Sequence, residues 1–163
     1  MQFNWLDYVL LGIVATVAAV QFLRSVRDFS RILYETLLMV GAVVAATWLV
    51  LPLQKLTGLG ASVLFGGVGL VLVIIAIILA ALSNRLAPFD LGIFNYALGP
   101  AFAVVCGYAL GHLVLRTVHL AVSPRNLKFA EAVQHSLVAR DLLYFKTAYE
   151  ILVFLRFVRW KEV

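Results

Sequence analysis

A chain of 163 residues that is 64% hydrophobic and only 13% charged, with mean hydropathy +1.03, has too few polar groups to coat its own apolar surface in water. Soluble domains carry roughly a quarter charged residues, so a water-dissolved globule is excluded and lipid is the expected solvent for most of the chain. The net charge of +5 does not point to nucleic acid, because no basic block interleaved with exposed aromatics is present; the basic residues flank hydrophobic runs, where they anchor spans to anionic headgroups.

The length leaves room for one bundle, and the single cysteine, Cys106, excludes an intramolecular disulfide and a cysteine-based metal site. The pattern predicts an all-α protein: a four-span membrane bundle over residues 1–122, with spans at about 6–23, 32–51, 61–82 and 100–120, and an amphipathic helical tail over 123–163.

The first span opens on Asn4 as a plausible N-cap, with Trp5 and Tyr8 at the level of an interfacial aromatic belt. Asp7 falls in the first turn, where the positive end of the helix dipole favours a carboxylate and water is within reach. The run lacks a basic leader and its arginines follow rather than precede it, so it reads as a retained span and not a signal peptide.

Arg24, Arg27 and Arg31 then crowd one short connection. They are candidate topology-setting and lipid-contacting residues, expected on the cytoplasmic side with the N-terminus outside. Asp28 and Glu35 lie at helical distance from Arg24 or Arg31, which predicts surface ion pairs worth a few tenths of a kcal/mol each. Span two is expected to stop before Pro52.

Span three carries Gly66, Gly67 and Gly69, a mark of close helix contact, and continues as an unbroken apolar run. The connection after it is rich in Phe89, Leu91, Ile93, Phe94 and Tyr96, which suggests a stretch resting in the headgroup layer, a re-entrant segment being the alternative. Span four is expected to begin with Gly99 as cap and Pro100 at the first helical position.

Gly99, Ala103, Gly107 and Gly111 recur every fourth residue of span four, the spacing that lines small residues along one helix face and lets a neighbouring backbone approach. His112, Arg116 and His119 follow at intervals of four and three and share another face. They are a possible proton-relay or anion site; the simpler reading has Arg116 and His119 snorkelling to headgroups and His112 bonded inside the bundle. No acidic residue in that span completes a metal set, no soluble-enzyme motif is present, and neither a metal nor a cofactor is expected. In the tail, charges at Lys128, Glu131, Arg140 and Asp141 give an amphipathic helix. Residues 142–160 turn apolar again, fitting a helix in the interface with Arg156, Arg159 and Lys161 on phosphates; a fifth span would place Lys146 and Glu150 in hydrocarbon.

Three places carry a family likeness: the opening Asn4-Trp-Leu-Asp7, the arginine-bearing turn from Phe22 to Arg27, and Asn95, Gly99, Ala103 and Gly107 leading into span four. With these the chain resembles the colicin V production protein (CvpA) family over roughly residues 4–120. It departs from the family's pattern at Gln21 and Ser25, where glycines are usual, at Asn95 in place of an Asp, and at Ala103 in place of a Gly.

The resemblance implies a multi-pass bacterial inner-membrane protein linked to toxin production or export and envelope maintenance, with no catalytic residues to carry over. The expected role is a non-enzymatic scaffold or accessory factor whose partners are membrane lipids and either further copies of itself or other membrane proteins. A small oligomeric transporter or proton/anion channel using His112, Arg116 and His119 is the alternative. An enzyme acting on lipid ranks third, because no acid and base converge.

Overall fold

The computed structural model describes residues 3–144, and among these every regular element is helical: α1 (Trp5–Ser25), α2 (Phe29–Thr57), α3 (Ala61–Leu86), α4 (Phe94–Val122), α5 (Leu127–His135) and α6 (Leu137–Tyr144). The four long helices are each apolar and long enough to cross a bilayer. The chain is an all-α membrane helix bundle.

The long helices run up and down in turn. One end, called here the hairpin end, holds the α1–α2 and α3–α4 connections; the opposite, latch end holds the start of α1, the α2–α3 connection and α5–α6. α4 is the central helix, packing against α1, α2 and α3, while α2 and α3 form a second extensive pair. One apolar core joins Met39, Val43 and Ala46 of α2, Phe65 of α3, and Cys106 and Leu113 of α4. A second, at the latch end, joins Leu6 and Leu10 to Leu115, Val133 and Leu142. The outer faces stay apolar and uncovered, as at Trp48, Leu51, Leu70 and Ile78, which suits helices solvated by acyl chains and held together by close packing rather than by expulsion of water.

Three helix boundaries depart from the sequence expectation. α2 runs through Pro52 to Thr57 and stops at Gly58, whose φ of 68° supplies the left-handed C-cap; Leu53 still packs on the core beyond the proline, which keeps the helix going despite one missing N–H. α4 begins at Phe94, so Pro100 lies inside the helix and Gly99 within its first two turns, where it meets α1 instead of capping. The amphipathic stretch after Pro124 is two helices broken at Ser136, the extended C-cap of α5. α6 packs on α1 and α4 through Ala139 and Leu142. The apolar part of the tail from residue 145 onward, with Lys146, Glu150, Arg156, Arg159 and Lys161, lies outside the described residues.

Candidate functional site

The small-residue stripe of α4 faces the chain's own first helix. A Cβ on Gly107 would sit 2.7 Å from the carbonyl oxygen of Val14, and one on Gly111 would sit 3.0 Å from the Val14 side chain. Gly99 abuts the Ser25 hydroxyl and Ala103 is buried. Gly107 is the position where only a missing side chain permits the approach, because the obstacle there is backbone and cannot rotate away. Gly66 and Gly69 of α3 do the same toward Thr117 and Leu113 of α4, whereas Gly67 faces open space.

The histidine–arginine face of α4 does not converge on one point. His112 is fully buried; its Nδ1 lies 2.6 Å from the carbonyl oxygen of Leu142 in α6, and its ring meets the Phe65 ring edge-on at 6.2 Å. Arg116 meets the same Phe65 ring, its guanidinium carbon 5.2 Å from the centroid in a cation–π contact. His119 instead pairs its Nδ1 with the Ser123 hydroxyl at 2.6 Å and lines a cavity of about 460 Å³ with Gln134, Arg140 and Tyr144.

The densest polar cluster lies at the hairpin end and centres on Glu35. Its side chain is 1% exposed and accepts from Arg24 Nη2 at 2.7 Å, Arg24 Nη1 at 2.9 Å, Arg31 Nε at 3.0 Å and Gln21 Nε2 at 3.2 Å. Gln21 Nε2 also reaches Cys106 Sγ at 3.4 Å, and Gln21 Oε1 accepts from Arg24 Nη1 at 3.0 Å, so the network ties α1, α2 and α4 together. The expected surface ion pairs are therefore corrected: Glu35 is the buried centre of a bidentate clamp, and Asp28 makes no ion pair among the described residues. Asp28 caps α2, accepting from the Arg31 N–H at 3.3 Å, and accepts from Asn84 Nδ2 of α3 at 2.9 Å, while the Ser30 hydroxyl donates to Asn84. Arg24 and Arg31 are 40% and 38% exposed at their side chains, and Arg27 is exposed; the guanidinium of the last has no polar partner among the described residues.

A second buried carboxylate sits at the latch end. Asp7 completes a capping box with Asn4, but it is also fully buried, accepting from the Ser136 hydroxyl at 2.6 Å and the Val138 N–H at 2.9 Å, while Asn4 Nδ2 donates to the Ala132 carbonyl at 2.7 Å. The expectation of a water-reaching acid at a span's end fails because α5 and α6 close over it.

The connection between α3 and α4 holds one further carboxylate, Asp90, on which the Gly92 N–H (2.8 Å) and the Asn95 side chain converge. The Gly92 N–H, then the Asn95 amide, hold its carboxyl below the usual carboxylate range. Phe89 of this connection stacks edge-on against Phe29 and Tyr34 of α2.

The sequence reading passed over Glu35, Gln21 and Ser136 as site residues. A signal for Glu35 was present: Ile32 and Met39, three before and four after it, are both buried, so the carboxylate stands on the core face of α2. Gln21 and Ser136 carried no comparable mark. Neither a family model, a curated protein nor a solved structure matches this chain.

Proposed function

We propose that the chain is a non-enzymatic scaffold or accessory factor of the bacterial inner membrane; service to toxin or bacteriocin production and export, or to envelope maintenance, is what the resemblance to the CvpA family adds. The observation that carries the reading is how the polar groups inside the spans are engaged. Glu35 is enclosed by Arg24, Gln21 and, from its own helix, Arg31, Asp7 by Ser136 and Val138, and His112 by the Leu142 carbonyl; every one of these bonds except that to Arg31 ties one helix to another element. Ionisable groups in a bilayer are costly and ordinarily mark a pathway or a partner; here they are spent on holding helix to helix, leaving an apolar exterior for neighbours in the membrane. The test is crosslinking in native membranes followed by purification. A membrane protein recovered in fixed ratio supports the scaffold, and repeated recovery of the bare chain rejects it.

A transporter or channel is the second reading, favoured by one observation: His112 and Arg116 both meet Phe65 of α3, an imidazole and a guanidinium gathered on one side chain. Flux in proteoliposomes with and without the paired changes His112→Ala and Arg116→Ala tests it. Absent flux, or flux the double change leaves unaltered, rejects it.

A further inference from the structure

The hairpin end carries a feature that the scaffold reading does not use. Arg24, Arg27, Asp28, Arg31 and Ile32 line a notch of about 170 Å³. Three guanidinium groups there face two carboxylates, Asp28 and Glu35, and both Asp28 oxygens are already bonded to α2 and α3. Glu35 uses only part of the donor capacity around it: Arg31 gives it Nε–H alone, Arg24 gives it Nη1 and Nη2, and Arg27 gives nothing. The N-terminus of α2 opens at Phe29, adding the positive end of a 29-residue helix beside the surplus charge. Around the notch, Leu23 and Val26 are exposed apolar side chains at the ends of a span, so it sits where acyl chains give way to headgroups. A larger cavity of about 310 Å³ shares Arg27 and Asp28 and continues past Ser30 to Asp90 and Asn95.

We propose that this notch seats the phosphate of an anionic phospholipid, with Arg27 as the principal ligand and Arg24 and Arg31 presented to it by Glu35. Two guanidinium groups gripping one buried carboxylate lose their rotamer freedom before any ligand arrives, and their remaining N–H groups form a fixed fork for phosphate oxygens. The adjoining cavity takes the rest of the headgroup. The chemistry recognised is a phosphate ester carrying net negative charge, whether it arrives as a lipid or as a free anion. The inference stands apart from the scaffold reading and survives its failure.

The experiment follows thermal unfolding of the full chain in a neutral detergent while phosphatidylglycerol, phosphatidylcholine or inorganic phosphate is added. Arg27→Gln removes the principal ligand and leaves the Glu35 clamp intact. Arg85→Gln removes an exposed charge at the same end that does not line the notch. Stabilisation by phosphatidylglycerol, with apparent affinity falling about tenfold in Arg27→Gln and holding in Arg85→Gln, supports the site. A response to inorganic phosphate that Arg27→Gln also removes supports it with a free anion as the source. Equal loss in both variants, no loss in either, no stabilisation by any addition, or an equal response to phosphatidylcholine overturns it. If Arg27→Gln lowers the unfolding temperature without ligand, native mass spectrometry of phosphatidylglycerol retained on the folded fraction replaces the thermal reading, and unchanged retention overturns the site.

Discussion

The two ends of the bundle each bury a carboxylate, and they do so in different ways. Asp7 is met by neutral donors, a hydroxyl and two backbone N–H groups, at the start of its own helix where the dipole is favourable. Glu35, in the second turn of α2, is met by two guanidinium groups that remain partly exposed. The first arrangement is a latch, since two of its three donors, the Ser136 hydroxyl and the Val138 N–H, lie at the α5–α6 junction, which it pins to the start of α1. The second is a clamp whose cations still face outward and can answer to lipid or salt. Burial of charge thus serves permanence at one end and responsiveness at the other.

The comparison can be broken outright at its middle. Gly107→Leu drives a side chain into the Val14 carbonyl, separates α1 from α4 and unfastens both ends together. A loss of about 3 kcal/mol or more is expected, read as earlier unfolding in mixed micelles, with Gly107→Ala already destabilised because the obstacle is backbone.

Asp7→Asn is expected to cost about 2–3 kcal/mol, because an amide nitrogen is then turned toward donors that lose their acceptor in a dry site. Hydrogen exchange should show the loss concentrated in α5 and α6. Glu35→Gln is expected to cost less, about 1–2 kcal/mol: breaking a fully buried pair costs roughly 3–5 kcal/mol, but these arginines are two-fifths exposed and can swing to headgroups. Moderate salt sharpens the contrast further. Raising ionic strength should weaken the wild-type protein's clamp and narrow its gap to Glu35→Gln, while the gap to Asp7→Asn stays unchanged, since neutral donors are not screened.

The smallest effect belongs to the α3–α4 connection. The Asp90 carboxyl is held below its ordinary value by the Gly92 N–H and Asn95, so the turn's contribution is complete above the unfolded value of about 3.9 and disappears as pH falls through the lower folded one. Amide exchange at Gly92 on acidification should show this, and Asn95→Ala should move the loss toward neutrality.

The spans themselves were legible because a bilayer demands about 20 apolar residues per crossing, a signal no other solvent imposes. Their ends were less so. Pro52 read as a stop and Pro100 as a start by backbone chemistry alone, yet the helix runs through each. The stripe on α4 was legible as a packing face, but periodicity names a face and never its partner, and the partner turned out to be α1. The polar site was the least visible part. His112 is 30 residues from Leu142 and Asp7 is 131 from Val138, and pairings across such separations leave no local trace. Glu35 is the exception, since its core-facing position can be read from Ile32 and Met39.

The latch also sets a timetable for manufacture. The carboxylate of Asp7 leaves the ribosome 131 residues ahead of its Val138 donor. At 5–20 residues per second that is roughly 7 to 26 seconds of translation. During that interval α1 must hold its acid with the Asn4 N–H alone, and for most of it the stripe partner α4 is also still unmade. The bundle is therefore sealed only once α6 has been made, and a chain cut short before Ser136 should be recognised by membrane quality control as unfinished, however well its four crossings have inserted.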